Sequence, residues 1–87
     1  MSTYRIEFAP SAERAFRKLT RDLQERLGKA IDKLASNPLP NGVKKLSGEV
    51  NLFRIRVGDY RIIYQMKSSE LIILVVRVGH RKDIYDF

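Results

Sequence analysis

Phe53-Arg54-Ile55-Arg56-Val57-Gly58-Asp59-Tyr60-Arg61-Ile62-Ile63-Tyr64 is a strand, a turn and a strand written in one line. Glycine followed by a turn-forming residue, between two alternating runs, predicts a two-residue β-hairpin. That turn sets Val57 against Tyr60, Arg56 against Arg61, Ile55 against Ile62 and Arg54 against Ile63. Side chains alternate faces along a strand. Phe53, Ile55, Val57, Tyr60, Ile62 and Tyr64 therefore share one face, and Arg54, Arg56 and Arg61 share the other. Like charges set opposite each other across strands destabilise a sheet. A fold gains nothing from this placement, which points to a polyanion, and first to phosphate.

The elements on either side follow from their periodicity. Tyr4-Arg5-Ile6-Glu7-Phe8 alternates and predicts a first strand. Ala9-Pro10-Ser11 breaks it and opens a helix carrying Ala12, Ala15, Phe16 and Leu19. Thr20 is an N-cap for a second helix, whose stripe is Leu23, Leu27, Ala30, Ile31 and Leu34. Asp22–Arg26 and Glu25–Lys29 stand at i,i+4, the spacing for ion pairs on its surface. The breakers of 36–42 end that helix. Val43–Leu46 reads as a short edge strand, and Leu71–Val78, nearly all apolar and β-branched, as a central one. A two-residue turn at Ser68-Ser69 puts Arg77 on the core side, an awkward place for a charge. The tail from His80 reads as one helical turn. The order is β-α-α-β-β-β. The fold class is α+β: a small, mostly antiparallel sheet with a two-helix hairpin packed on its apolar face.

With 87 residues the chain predicts a single domain over 1–87. It is 44% hydrophobic and 31% charged, a globular balance, and its net charge is +7. Such an excess suits a nucleic-acid surface or an acidic protein partner. There is no cysteine, so neither a disulfide framework nor a thiolate metal site is expected, and one histidine does not make a zinc site unaided. No cofactor is implied. The opening residues lack an apolar signal region, and the longest apolar run, Leu71–Val76, is too short to span a membrane, so a cytoplasmic location is expected.

If the polyanion is RNA, cleaving it without a metal requires three things. The 2′-hydroxyl must lose its proton, the pentavalent phosphate needs charge stabilisation, and the 5′-oxygen must gain a proton. Arginine suits the second task, because its planar fork matches phosphate oxygens and its charge is permanent. That permanence makes Arg54 and Arg56 clamps rather than bases. His80 is the one side chain whose ordinary pKa suits acid–base work near neutrality. Tyr85, in a charged tail, is placed to stack on a base. Tyr60 and Tyr64 fall on the helix side and read as core. Lys44 and Lys45 flank the arginine face and contact an RNA backbone, or are ordinary loop lysines. Arg14, Arg17, Lys18, Arg26, Lys29 and Lys33 read as a solvated helix face, some of them able to touch a large partner.

Three stretches carry a resemblance: Lys45-Leu46-Ser47-Gly48, the arginine hairpin, and Val78-Gly79-His80-Arg81-Lys82-Asp83-Ile84-Tyr85. Over nearly its whole length the chain resembles the RelE/ParE toxin superfamily. Its Gly-His-Arg-(three residues)-Tyr ending is similar to the RelE branch of messenger-RNA endonucleases. The resemblance implies the toxin of a toxin–antitoxin pair, one that enters the ribosomal A site and cuts the messenger without a metal. It also implies a cognate acidic antitoxin that wraps the toxin in a hetero-oligomer. By the same resemblance Arg61 holds the scissile phosphate, Arg81 acts near the leaving oxygen, and Tyr85 orients a nucleotide. The best-described family pattern has lysines where Arg54 and Arg56 stand. Two other functions fit the same fold: a ParE-type inhibitor of DNA gyrase without nuclease chemistry, and a non-catalytic RNA-binding module.

Overall fold

The computed structural model describes residues 3–46 and 51–84. The elements are β1 (Arg5–Phe8), α1 (Pro10–Arg17), α2 (Arg21–Lys33), β2 (Lys44–Lys45), β3 (Leu52–Val57), β4 (Tyr60–Lys67) and β5 (Ile72–His80). The strands form one sheet in the order β1-β5-β4-β3-β2. β1 runs parallel to β5, and every other pair is antiparallel. The α+β class is as the sequence predicts, but the observed order is β-α-α-β-β-β-β, one strand longer than the predicted β-α-α-β-β-β, because the short edge segment at Lys44–Lys45 joins the sheet as β2.

The helices start where the sequence places them. Pro10 opens α1, where its missing N–H costs nothing. The Thr20 hydroxyl accepts the Leu23 N–H at 3.3 Å and caps α2. The Gln24 amide donates to the Phe16 and Arg17 carbonyls at 3.1 and 3.2 Å, tying the end of α1 to the first turns of α2. The expected Asp22–Arg26 and Glu25–Lys29 pairs do not form. Arg26 instead reaches over the hairpin turn, its Nη2 lying 3.1 Å from where a Cβ on Gly58 would stand.

Ala12, Leu27, Ile31 and Leu34 bury against Phe53, Ile55, Ile62, Tyr64, Ile73, Val75 and Val78. Each large side chain removed from water contributes about 1.5–3 kcal/mol, so this layer dominates stability. The opposite face is less open than expected. Leu46, Ile63 and Ile84 form a second small cluster there, flanked by Leu52 and Val76.

Arg77 does not face the core, and the reason is a bulge. The turn spans 68–71, with Lys67 opposite Ile72, rather than two residues. That change alone keeps the same side chains inward. The register then slips between Ile63 and Tyr64, whose partners are Arg77 and Val75. Val76 is the extra residue, and the slip moves Arg77 to the arginine face, where it is exposed.

Tyr64 is fully buried, and its hydroxyl donates to the Pro38 carbonyl at 2.6 Å. Burial pushes the phenol from 10.0 up to about 12. Unfolded tyrosine ionises first, so this stabilisation is intact below pH 10 and is lost as pH climbs toward 12. Linkage makes it worth about 2–3 kcal/mol. Tyr64→Phe is expected to lose about 0.5–1.5 kcal/mol at neutral pH with the hydrogen bond. The variant's alkaline unfolding should lack the tyrosine-linked decline, which denaturant melts across that pH range will read out.

Candidate active site

The hairpin forms in the expected register, with Arg56 opposite Arg61 and Arg54 opposite Ile63. Its tightness depends on Gly58, whose φ is +60°, a conformation that side chains disfavour. Arg56 is exposed, Arg61 is half-buried, and Arg54 is buried at 6% exposure. The last is a correction to the picture of three arginines on an open face. Ile63, directly across from Arg54, belongs to the small cluster with Leu46 and Ile84, which closes over this part of the sheet.

The end of β5 brings in the next arginine. The Arg81 N–H donates to the Asp59 carbonyl at 2.8 Å, stitching the chain after β5 to the hairpin turn. The Arg81 Nε lies 3.8 Å from the Asp59 carboxylate. Arg56, Arg61 and Arg81 thus line one small cavity of ≈ 180 Å³ together with Gly58, Asp59 and Tyr60. Residues distant in sequence are collected there because β3, β4 and β5 are neighbours in the sheet. Three guanidinium charges against one carboxylate give the cavity a net positive charge, which suits an anion.

Arg61 is held from a second side. Its Nη1 donates to the Ile84 carbonyl at 3.2 Å. Gly79 stands directly across the sheet from Arg61. A Cβ on Gly79 would lie 2.8 Å from Ile84 Cδ1, so glycine is what lets the tail lie flat on the sheet. Neither Ile84 nor Asp59 stood out in the sequence as a site residue. Asp59 read only as a turn-former, although a carboxylate two residues from an arginine in a hairpin was a usable signal. The tail has no periodicity that would have marked Ile84.

The other expected residues scatter. His80 pairs with Tyr60 on the helix side of the sheet and packs edge-on against its ring, with centroids 5.4 Å apart. Its Nδ1 accepts the Lys82 N–H at 3.1 Å, and it does not line the arginine cavity. Lys44 stands opposite Arg54 and shares its face, whereas Lys45 stands opposite Phe53 on the other. Tyr85 lies outside the described residues. Among the described residues no cluster of three or more histidine, cysteine or acidic side chains is arranged to hold a metal. Among them, too, no helix is long and apolar enough to cross a membrane.

Comparison with known proteins shows the family to which the chain belongs. A family model described as the ParE toxin of type II toxin–antitoxin system, parDE, matches residues 6–85. Toxin RelG of Mycobacterium tuberculosis is 34% identical over 84 residues, covering 94% of this chain and 95% of RelG. The mRNA interferase toxin RelE of Escherichia coli strain K12 is 27% identical over 81 residues, covering 91% of this chain and 84% of RelE. The archaeal RelE–RelB complex from Pyrococcus horikoshii OT3 holds a chain that superposes with a TM-score of 0.81 at 29% identity, covering 94% of this chain and 99% of that one. The chain belongs to the RelE/ParE superfamily, the toxins of type II toxin–antitoxin systems.

Proposed function

We propose that this toxin is an endoribonuclease of the RelE kind, which cuts messenger RNA in the ribosomal A site and is silenced by a cognate antitoxin. The observation that carries the reading is the convergence of Arg56, Arg61 and Arg81 on one small cavity. The RelE relative's name, mRNA interferase, supports it, and the RelE–RelB complex supports the antitoxin. In the reaction the 2′-oxygen attacks the adjacent phosphorus and gives its proton to water, the bond from phosphorus to the 5′-oxygen breaks, and the 5′-oxygen takes up a proton from water. The products are a 2′,3′-cyclic phosphate and a free 5′-hydroxyl. Arg61 binds a non-bridging oxygen and stabilises charge as the phosphorus becomes pentavalent. Arg81 approaches the leaving oxygen, Arg56 draws down the pKa of the attacking hydroxyl, and Tyr85 stacks on a base. Arg54, being buried, supports the field from beneath, and Lys44 extends it along the edge. The chemistry asks for no metal. The ribosome supplies substrate orientation, which lowers the entropic part of the barrier.

The experiment is to incubate the toxin with programmed ribosomes and map the messenger ends. Cuts at the A-site codon, with far slower cutting of the same RNA free in solution, are the expected result. The ParE description of the matching family model keeps gyrase inhibition as the competing reading. Gyrase-linked DNA breaks with intact messenger would establish it instead.

A further inference from the structure

A second cavity adjoins the arginine cavity across the hairpin turn. It measures ≈ 260 Å³ and lies between α2 and the turn, with Leu23 and Arg26 on the helix side and Val57, Asp59, Tyr60 and His80 on the sheet side. Gly58, Asp59 and Tyr60 line both cavities, so the turn is the wall between them. A nucleotide whose phosphate is held by Arg56, Arg61 and Arg81 can therefore reach the second cavity over the turn.

The lining of this cavity is not that of a phosphate site. Where the arginine cavity sets three guanidinium groups against one carboxylate, here a single guanidinium, Arg26, meets the carboxylate of Asp59. Two rings add flat surface, with Tyr60 and His80 edge to face at 5.4 Å. Leu23 and Val57 add aliphatic contact. Arg26 does not take the partner that its helix offers. Asp22 stands four residues before it, the spacing of a helical ion pair. Yet Arg26 makes no ion pair among the described residues, and its Nη2 lies over the turn, 3.1 Å from where a Cβ on Gly58 would stand. The missing Cβ of Gly58 leaves room for that approach, in addition to allowing the positive φ of the turn.

We propose that this cavity takes the base next to the scissile phosphate and reads its edge, with guanine as the base it prefers. The proposal rests on the endoribonuclease reading above and adds base recognition to it. Proteins read RNA sequence on unstacked bases, by contact with aromatic rings and by hydrogen bonds along the base edges. Tyr60 and His80 supply the ring surface, Arg26 the donors and Asp59 the acceptor. The base that suits this pair carries two acceptors on one edge and N–H donors on the next. In guanine, O6 and N7 match the guanidinium fork, while N1–H and the N2 amino group face the carboxylate. Adenine puts an amino group where O6 would stand, against the guanidinium. The pyrimidines present the carboxylate with one donor group instead of two. Asp59 keeps its contact to Arg81 through Oδ1, at 3.8 Å, and Oδ2 serves the base. A second phosphate fits less well, because one cation against one carboxylate leaves no net charge to hold it.

The test titrates free toxin with the 3′- and 5′-monophosphates of the four nucleosides and with inorganic phosphate, following the His80 ring and the Arg26 guanidinium by NMR. A guanosine monophosphate should bind about 10-fold more tightly than its uridine counterpart, the discrimination expected of one bidentate edge contact, and should shift both signals. The series in which it does so identifies which neighbour of the phosphate enters the cavity. Arg26→Ala should bring the four bases within about 2-fold of one another, while inorganic phosphate binds as before. Arg26→Lys should behave like Arg26→Ala, since it keeps the charge without the fork. Equal affinity for the four bases, tightest binding of another base, an unshifted His80 ring, or a preference that survives in either variant would overturn the proposal. If Arg26→Ala disturbs the fold, as judged by thermal melting, Arg26→Lys decides in its place. Binding is read without ribosomes, so the two readings fail separately. Guanosine selectivity in a toxin that leaves messenger intact would refute the nuclease and keep the base site. A-site cuts by a toxin that binds all four bases alike would do the reverse.

Discussion

Arg61→Ala is expected to cut single-turnover cleavage on saturating ribosomes by about 10²–10³-fold, the usual cost of removing one preorganised oxyanion donor. Arg61 is half-buried opposite Arg56, in the cavity it shares with Arg81, and the Ile84 carbonyl fixes its Nη1. It is thus held before substrate arrives, and little reorganisation is left for the transition state. The effect on stability should be small, because two terms oppose. Losing the bond to Ile84 costs about 0.5–1.5 kcal/mol. Relieving the cross-strand repulsion with Arg56 returns about 0.2–1 kcal/mol. The melting temperature should therefore move by only a few degrees, given about 4–8 °C per kcal/mol in a domain of this size. Arg61→Lys should recover part of the rate, since charge is restored and the bidentate fork is not. A variant that unfolds would make Arg61 a structural residue. A folded variant with normal cleavage would remove it from the phosphate site.

The hairpin was legible because a two-residue turn leaves no freedom. Once Gly58-Asp59 is the turn, the partners of Arg54, Arg56 and Arg61 and the faces they occupy are fixed, and β3 and β4 pair accordingly. Arg77 was misplaced because a bulge leaves no mark in composition: Val76 sits in an unbroken apolar run and reads like any other strand residue. The burial of Arg54 was hidden for a different reason. Its face was assigned correctly, but Leu46 and Ile84 cover that face from a loop and a tail, and contacts so far apart in sequence have no local period. The groove between α2 and β3 was hidden for the same reason: Arg26, Lys29 and Lys33 read as a solvated stripe, and only the fold sets them beside Arg56.

The identity of the base that takes the 2′-hydroxyl proton can be decided by a pH profile. If His80 accepted that proton, cleavage would rise with pH as the imidazole became able to take it. His80→Gln would then cost about 10²–10⁴-fold. The geometry favours the other outcome. His80 is on the helix side of the sheet against Tyr60, its Nδ1 is engaged by the Lys82 N–H, and the arginine cavity opens on the opposite face. We therefore expect a flat profile for the wild type between about pH 5.5 and 8, where the arginines stay charged. His80→Gln should cleave at close to the normal rate. Arg56→Ala should be slower by about 10²-fold or more, because in the proposed mechanism the exposed Arg56 guanidinium stabilises the attacking oxygen, and a lost electrostatic stabiliser in such a site costs about that much. Measured on the same ribosomes, the three profiles separate the two mechanisms. A wild-type rise through pH 6–7 that vanishes in His80→Gln would make histidine the base, and would require the messenger to reach round the edge of β5. A severe, pH-independent loss in Arg56→Ala alone would leave the hydroxyl activated by the field of the arginine cluster.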